Sequence, residues 1–187
     1  MECIKCRKKA GISLRHIGSV CKSCFLKIVE KRVRKELRTK KLIRKNDRIL
    51  VVDNGSKEFA VGHYLLKNII KNLPVKIAKI KTNKAILPKT TKKYDKVIIP
   101  WSLDDEAEDF LNALFNSKKK TKSSKKAIKL LMNISDEEIG LFAKIKKFKY
   151  RKRKKSKIKQ MLDMLEKRYP GYKFSLLNSI KALSDEN

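Results

Sequence analysis

The apolar positions along this chain alternate between two periods. Phe25, Ile28, Val29, Val33 and Leu37 share one face of a helix that begins at Phe25, and Lys27, Lys31, Arg32, Arg34, Lys35 and Arg38 occupy the opposite face. Arg48 to Val52 is a short run rich in Val, Ile and Leu, which predicts a strand. A turn at Asn54, Gly55 and Ser56 follows, and Phe59, Val61, Leu65, Leu66, Ile69 and Ile70 trace a helix that Pro74 ends. Val75 to Ile80 and Tyr94 to Ile99 predict two more strands. Strands alternating with helices imply an α/β fold with a parallel sheet and right-handed crossovers.

The second half reads as mostly helical. Ser102 is placed as an N-cap, with Asp104, Asp105 and Glu106 in the first turn, where the helix dipole favours negative charge. Ala107, Phe110, Leu111, Leu114 and Phe115 form the buried stripe of that helix. A short helix is expected over Lys126 to Met132, and Ser135 with Glu138 has capping-box spacing for another. Ile158, Met161, Leu162 and Leu165 mark a helix ending near Pro170-Gly171, and Phe174, Leu176, Leu177 and Ile180 mark the last one.

Charge changes the picture most. The chain has 187 residues, with 50 Lys and Arg against 19 acids, a formal net charge of +31. Such an excess repels itself unless a polyanion neutralises it. Surfaces rich in Lys for heat tolerance balance it with Glu, and here acids are scarce. RNA, DNA and anionic membrane are the candidate partners. No apolar run has the roughly 18 residues of a membrane span, and the start at Met1-Glu2-Cys3 has no leader pattern, so a cytoplasmic protein is expected. Residues 144–159 carry 11 Lys or Arg in 16 positions, with Phe148 and Tyr150 interleaved. The expected RNA contacts are Lys146, Lys147, Lys149, Arg151, Arg153 and Lys154, with Arg32, Arg34 and Arg38 from the basic helix face. Phe148 and Tyr150 fit packing better than stacking on bases.

The chain's four cysteines are Cys3, Cys6, Cys21 and Cys24, spaced C-x2-C, 14 residues, C-x2-C. That pattern predicts a closed, tetrahedral, structural Zn2+ site. A pair of disulfides, an iron centre or free thiols are the alternatives. His16 lies between the pairs and is expected to be a surface or packing residue, since four thiolates already complete a zinc site.

Three separated pieces carry a family resemblance: the cysteine module followed by Phe25 and the basic helix; ILVVDNGSKEFAVGHYLL at 49–66; and SLDDEAEDFLNALF at 102–115, with LEKRYPGYKFSLLNS at 165–179. Together they resemble the tRNA thiolases of the PP-loop ATP pyrophosphatase superfamily, and within it the non-catalytic second subunit of the cytosolic thiouridylase complex. The resemblance implies a reduced parallel-sheet PP-loop (HUP-like) domain at 47–116, behind a zinc module at 1–25 and a basic linker helix at 26–46. A basic loop at 117–126 and a helical C-terminal segment at 127–187 follow.

The departures from that family shape the functional expectation. Active members carry an SGG-x-D-S type loop after the first strand, whose backbone amides hold the pyrophosphate of ATP. Here the matching positions are Asn54, Gly55, Ser56 and, at the final Ser, Phe59. The second family motif, similar to GHNxDD, reads Pro100-Trp101-Ser102-Leu103-Asp104-Asp105, so Asp105 is a vestigial nucleotide or metal ligand or simply part of the helix cap. Catalytic members also use cysteines in the PP-loop domain, and none follows Cys24 here. The expectation is a chain that is not itself an enzyme: a tRNA-binding partner in 2-thiolation of the wobble uridine, docked on a catalytic thiolase paralogue. The alternative is a free-standing zinc-containing RNA-binding protein associated with the ribosome or tRNA. An active PP-loop enzyme with an altered nucleotide site is a third reading.

Overall fold

A computed structural model describes residues 1–82, 91–116, 124 and 126–185. The chain opens with a small antiparallel hairpin, β1 (Ile12–Leu14) and β2 (Gly18–Val20), and runs directly into the long helix α1 (Lys22–Thr39). The main sheet follows: β3 (Arg48–Asp53), α2 (Lys57–Ile69), β4 (Lys76–Lys81), β5 (Lys96–Ser102), α3 (Leu103–Phe115) and β6 (Ala127–Leu131). Three helices complete the described chain: α4 (Asp136–Ile145), α5 (Lys157–Arg168) and α6 (Tyr172–Asp185).

The four main strands are all parallel and lie in the order β4-β3-β5-β6. The central strand β3 is buried on both faces, as its unbroken run Ile49-Leu50-Val51-Val52 requires. Ile49 and Val51 face the larger core, where they meet Phe25, Val29 and Val33 of α1, Val61 and Leu65 of α2, and Ile139 and Phe142 of α4. Leu50, Val52 and Val97 face the other way, into a thin layer with Ala78, Ile80, Tyr94 and Ile99. A third cluster, Ala107, Leu111 and Leu162 with Ile158, Met161, Tyr172 and Leu176, joins α3 to α5 and α6. Lys76, Lys79 and Lys81 lie on the edge strand β4, where charge discourages pairing with a further chain.

The segment expected as a helix at Lys126 to Met132 is instead the strand β6. Leu and Lys favour a helix locally, but β5 has a free edge after α3, and β6 fills it with Val97 opposite Ala127 and Ile98 opposite Ile128. The cap signals at Ser102 and Ser135 do start helices, each with a complete capping box. Pro100 sits inside β5, and the β5–β6 register shifts between Ile99 and Ser102, as a strand residue without an N–H requires. The basic loop at 117–126 lies outside the described residues apart from Ser124 and Lys126.

Four helices begin at serine N-caps: Ser56 for α2, Ser102 for α3, Ser135 for α4 and Ser156 for α5. Each side chain accepts the amide three residues on, worth about 1 kcal/mol per cap. From β3 the chain leaves by α2 to β4 on one side, while β5 lies on the other side. The crevice between the carboxyl ends of β3 and β5 is thus the topological switch point, where open α/β sheets hold ligands.

Candidate functional site

Two sites emerge, a thiol cluster at the N-terminus and a cationic cleft at the switch point. The thiol cluster is built from two tight turns. In the first, the amides of Cys6 and Arg7 donate to the Cys3 carbonyl at 3.3 and 2.8 Å, with Arg7 at φ 61° closing the turn. In the second, Cys21 follows β2 and caps α1, its sulfur accepting the Cys24 amide at 3.4 Å. The four Sγ atoms all lie within 4.8 Å of one another, and those of Cys6 and Cys21 are 3.7 Å apart. Four sulfurs around one metal at 2.3 Å define a tetrahedron with edges of about 3.8 Å, which fits this cluster. The sulfurs of Cys6 and Cys21 push the Cys24 thiol up to about 12. At Cys3 burial acts in the same direction, but backbone amides of Cys21, Lys5 and Cys6 outweigh it and hold that thiol at about 6. A coordinated metal cation lets all four ionise together.

His16 lies just past β1, in the turn to β2, and stands outside the thiol cluster. It hydrogen-bonds Glu138 of α4 at 3.1 Å and packs on the Phe174 ring at 4.7 Å. Glu138 is fully buried, accepts the Ser135 amide at 3.0 Å to complete the α4 cap, and is also paired with Arg32 of α1. Burial acts to raise its carboxyl, but His16, Arg32 and the Ser135 amide outweigh it and hold it below the usual range. A carboxyl lowered on folding stabilises the fold above its ordinary value, and that stabilisation fades as pH falls through it. This one carboxylate ties the cysteine module to the helix whose first residue, Asp136, lines the cleft.

The cleft has a volume of about 920 Å³. Val52, Ile99, Pro100 and Trp101 supply apolar wall, while Lys57, Lys159 and the segment Tyr150–Ser156 supply its cationic side. Lys159 pairs with Asp105 of α3 and with Asp136 of α4 at 3.3 Å; the Lys57 ammonium donates to the Asp136 carbonyl at 2.7 Å. Burial disfavours charge on Lys159, but Asp136 and Asp105 outweigh it and hold the ammonium well above the usual lysine range. Burial likewise acts to raise Asp136, and Lys57 and Lys159 bring it below the usual range. Beneath them Lys173 of α6 bridges Asp104 and Asp163, and Asp104 accepts the Asp136 amide at 2.8 Å. Burial and the nearby Asp136 raise Asp104, while Lys173 opposes the shift.

The residues singled out from the sequence divide. Asn54, Ser56 and Asp105 line the cleft, and Gly55 touches the basic segment above it. Phe59 turns away from the cleft, stacking on His63 at 5.5 Å and packing against the core. Asp105 completes the Ser102 capping box, as the cap reading expects, and also pairs with Lys159. Arg151, Arg153 and Lys154 border the cleft; Lys146, Lys147 and Lys149 are exposed just before it. Phe148 packs on Tyr64 at 5.4 Å, whereas Tyr150 is exposed at the cleft. Arg32 is committed inward to Glu138, and Arg34 pairs with Glu30 on its own helix. Arg38 is exposed beside Ile69 and Ile70, at the end of α2 remote from Ser56, about 20 Å away along the helix. Arg38 therefore lies at the end of α2 away from the cleft. Lys57, Asp136, Lys159 and Trp101 were not singled out, because each sits in an ordinary helix start or strand end and only the topology gathers them.

No protein-family model matches the chain. It is 34% identical over 70 residues to the tRNA-5-methyluridine(54) 2-sulfurtransferase of Thermotoga maritima; that stretch spans 37% of this chain and 23% of the relative. Its structure superposes on the U34-tRNA thiolase NcsA from Methanococcus maripaludis, solved with its [4Fe-4S] cluster, with a TM-score of 0.82. The superposition covers 100% of this chain and 88% of that one, at 22% sequence identity. The fold is the PP-loop tRNA-thiolase fold.

That similarity corrects the expectation that the chain is not an enzyme. Both comparators are enzymes, a sulfurtransferase and a thiolase, so the comparison points to an enzyme here. The physical reason lies in the cleft. The altered loop residues suggested a lost site, yet the crevice at the strand ends is open and lined by paired acids and lysines. Chemistry at a switch point depends on what several elements bring together, and one loop is a poor measure of it. Among the described residues no helix is long and apolar enough to cross a membrane.

Proposed function

We propose that this chain is the tRNA-binding component of a tRNA-thiolating enzyme that acts on the wobble uridine. The cationic cleft at the strand ends of a thiolase fold is the observation that carries the reading. A net charge of +31 suits a tRNA partner, and the lysines and arginines at the cleft mouth place that charge beside the switch point. Lys57 and Lys159 are held by Asp105 and Asp136 within the wall of the cleft, beneath the exposed cations of its mouth.

Zn2+ is the metal we assign to the four cysteines. Sulfurs gathered within 4.8 Å match one tetrahedral ion, whereas a cubane iron–sulfur cluster carries each thiolate on a different iron and spreads the sulfurs wider. The ion supplies cross-linking alone: Cys3 and Cys6 are tied to Cys21 and Cys24, and the hairpin is fixed on α1. All four thiols of the chain are then engaged. In this reading a second thiolase chain, docked on this one in the cytoplasm, brings the reactive cysteine, and the two chains together form the enzyme.

Ultraviolet crosslinking in the native host, followed by sequencing of the bound RNA, tests the partner. Crosslinks concentrated on tRNA anticodon arms are expected. Crosslinks confined to ribosomal RNA contradict the reading and favour a ribosome-associated protein.

A further inference from the structure

Three amides at the loop between β3 and α2 are bonded within the loop itself. The Gly55 amide donates to the Asp53 carboxylate at 2.9 Å, the Ser56 amide to the Asn54 side chain at 3.1 Å, and the Phe59 amide to the Ser56 hydroxyl at 3.2 Å. A phosphate approaching these amides meets groups already satisfied, with the Asp53 carboxylate beside them. What the loop presents outward is carbonyl oxygen. The Gly55 carbonyl accepts the Arg151 amide at 2.8 Å, and the Asn54 carbonyl accepts the Arg153 guanidinium at 3.0 Å.

These two bonds pin an extended strap, Tyr150–Lys155, across the cleft mouth. Every residue of the strap is exposed, although its backbone is fixed. It presents five consecutive cations. Lys155 pairs with Asp163, and Arg153 is held by the loop. Among the described residues, Arg151, Lys152 and Lys154 have no acidic side chain within ion-pair distance. With Arg153, whose carbonyl partner carries no charge, four uncompensated cations on a pinned backbone repel each other, and an anion relieves that repulsion.

We propose that the phosphate-binding element of this cleft is the strap and not the loop, and that its ligand is the phosphodiester backbone of RNA, met by Arg151, Lys152 and Lys154. Polarity at the site is inverted: side-chain cations take the place of amides, and the loop serves as the anchor of the strap. A nucleotide triphosphate relies on compact amide coordination, and three amides of this loop are already bonded within it. A polyanionic chain needs only a row of cations at a fixed position. The proposal rests on the tRNA-binding reading and adds where the backbone is gripped.

The test compares the native full chain with the triple variant Arg151→Gln, Lys152→Gln, Lys154→Gln. Binding of an unmodified tRNA transcript is followed by fluorescence anisotropy across a salt series, and ATP is titrated separately by calorimetry. The three side chains are exposed, so bound metal and melting temperature stay as in the native protein and report that the variant is folded. The slope of log affinity against log salt should fall by about 2–3, with at least a tenfold loss of affinity at low salt. An unchanged slope in the folded variant overturns the strap assignment and leaves the tRNA reading standing. No tRNA binding by the native chain overturns both. ATP binding that is lost in the variant while tRNA binding persists gives the strap to a nucleotide and overturns the phosphodiester ligand.

Discussion

Cys21→Ala is expected to release the metal and to lower the melting temperature by more than about 10 °C. Structural zinc sites contribute roughly 10–16 kcal/mol of apparent binding free energy, most of it expressed as folding of the module around them. Each kcal/mol lost shifts the melting temperature of a chain of this size by about 2–4 °C. Cys21 has a second role, because its sulfur caps α1 by accepting the Cys24 amide. The damage also spreads inward. Val20 and Cys3 are buried in the same core as Phe25 and Val29, and His16 reaches Glu138 from the adjoining hairpin. Elemental analysis and a thermal melt by circular dichroism check the prediction. Zinc in the native protein and none in the variant is expected. A variant that keeps both its metal and its melting temperature contradicts the site, and iron with acid-labile sulfide in the native protein contradicts the metal.

Lys173→Ala is expected to cost about 3–5 kcal/mol, the usual penalty for stranding a buried charge. The Lys173 side chain is 4% exposed, and that of its partner Asp104 is 1% exposed. Removing the lysine leaves Asp104 with the Asp136 amide as its remaining donor and brings it against the Asp136 charge. The double variant Asp104→Asn, Lys173→Met recovers a large part of the loss, because it removes both charges together. Urea denaturation of the native, single and double proteins measures the three stabilities. A single variant within about 1 kcal/mol of native contradicts the view that this pair supports the floor of the cleft.

How much of this was legible beforehand can be judged element by element. The α1 stripe of Phe25, Val29, Val33 and Leu37, the β3 run and the caps at Ser102 and Ser135 rest on local chemistry, and each forms as its pattern dictates. β6 was illegible because Ala127-Ile128-Lys129-Leu130-Leu131 favours a helix in isolation, and only the open edge of β5 makes it a strand. The thiol cluster was legible because its ligands lie close in sequence. The cleft was legible only at one end. Asn54, Ser56 and Asp105 could be matched to motifs, but Lys57, Asp136 and Lys159 come from three helix starts that the sheet topology alone unites. Charge counting placed Arg32 and Arg151 together as surface cations, whereas the fold turns Arg32 inward to Glu138 and leaves Arg151 on the strap. The loop also has a structural use, since the backbone carbonyls of Asn54 and Gly55 hold the strap.

Participation in tRNA thiolation would show in the 2-thiouridine content of bulk tRNA. Nucleoside mass spectrometry of tRNA from the native host, with and without the gene for this chain, provides the measurement. Loss of the thiolated wobble nucleoside, restored by a plasmid copy of the native chain, is the predicted result. Full 2-thiouridine levels in the absence of the gene would contradict the account.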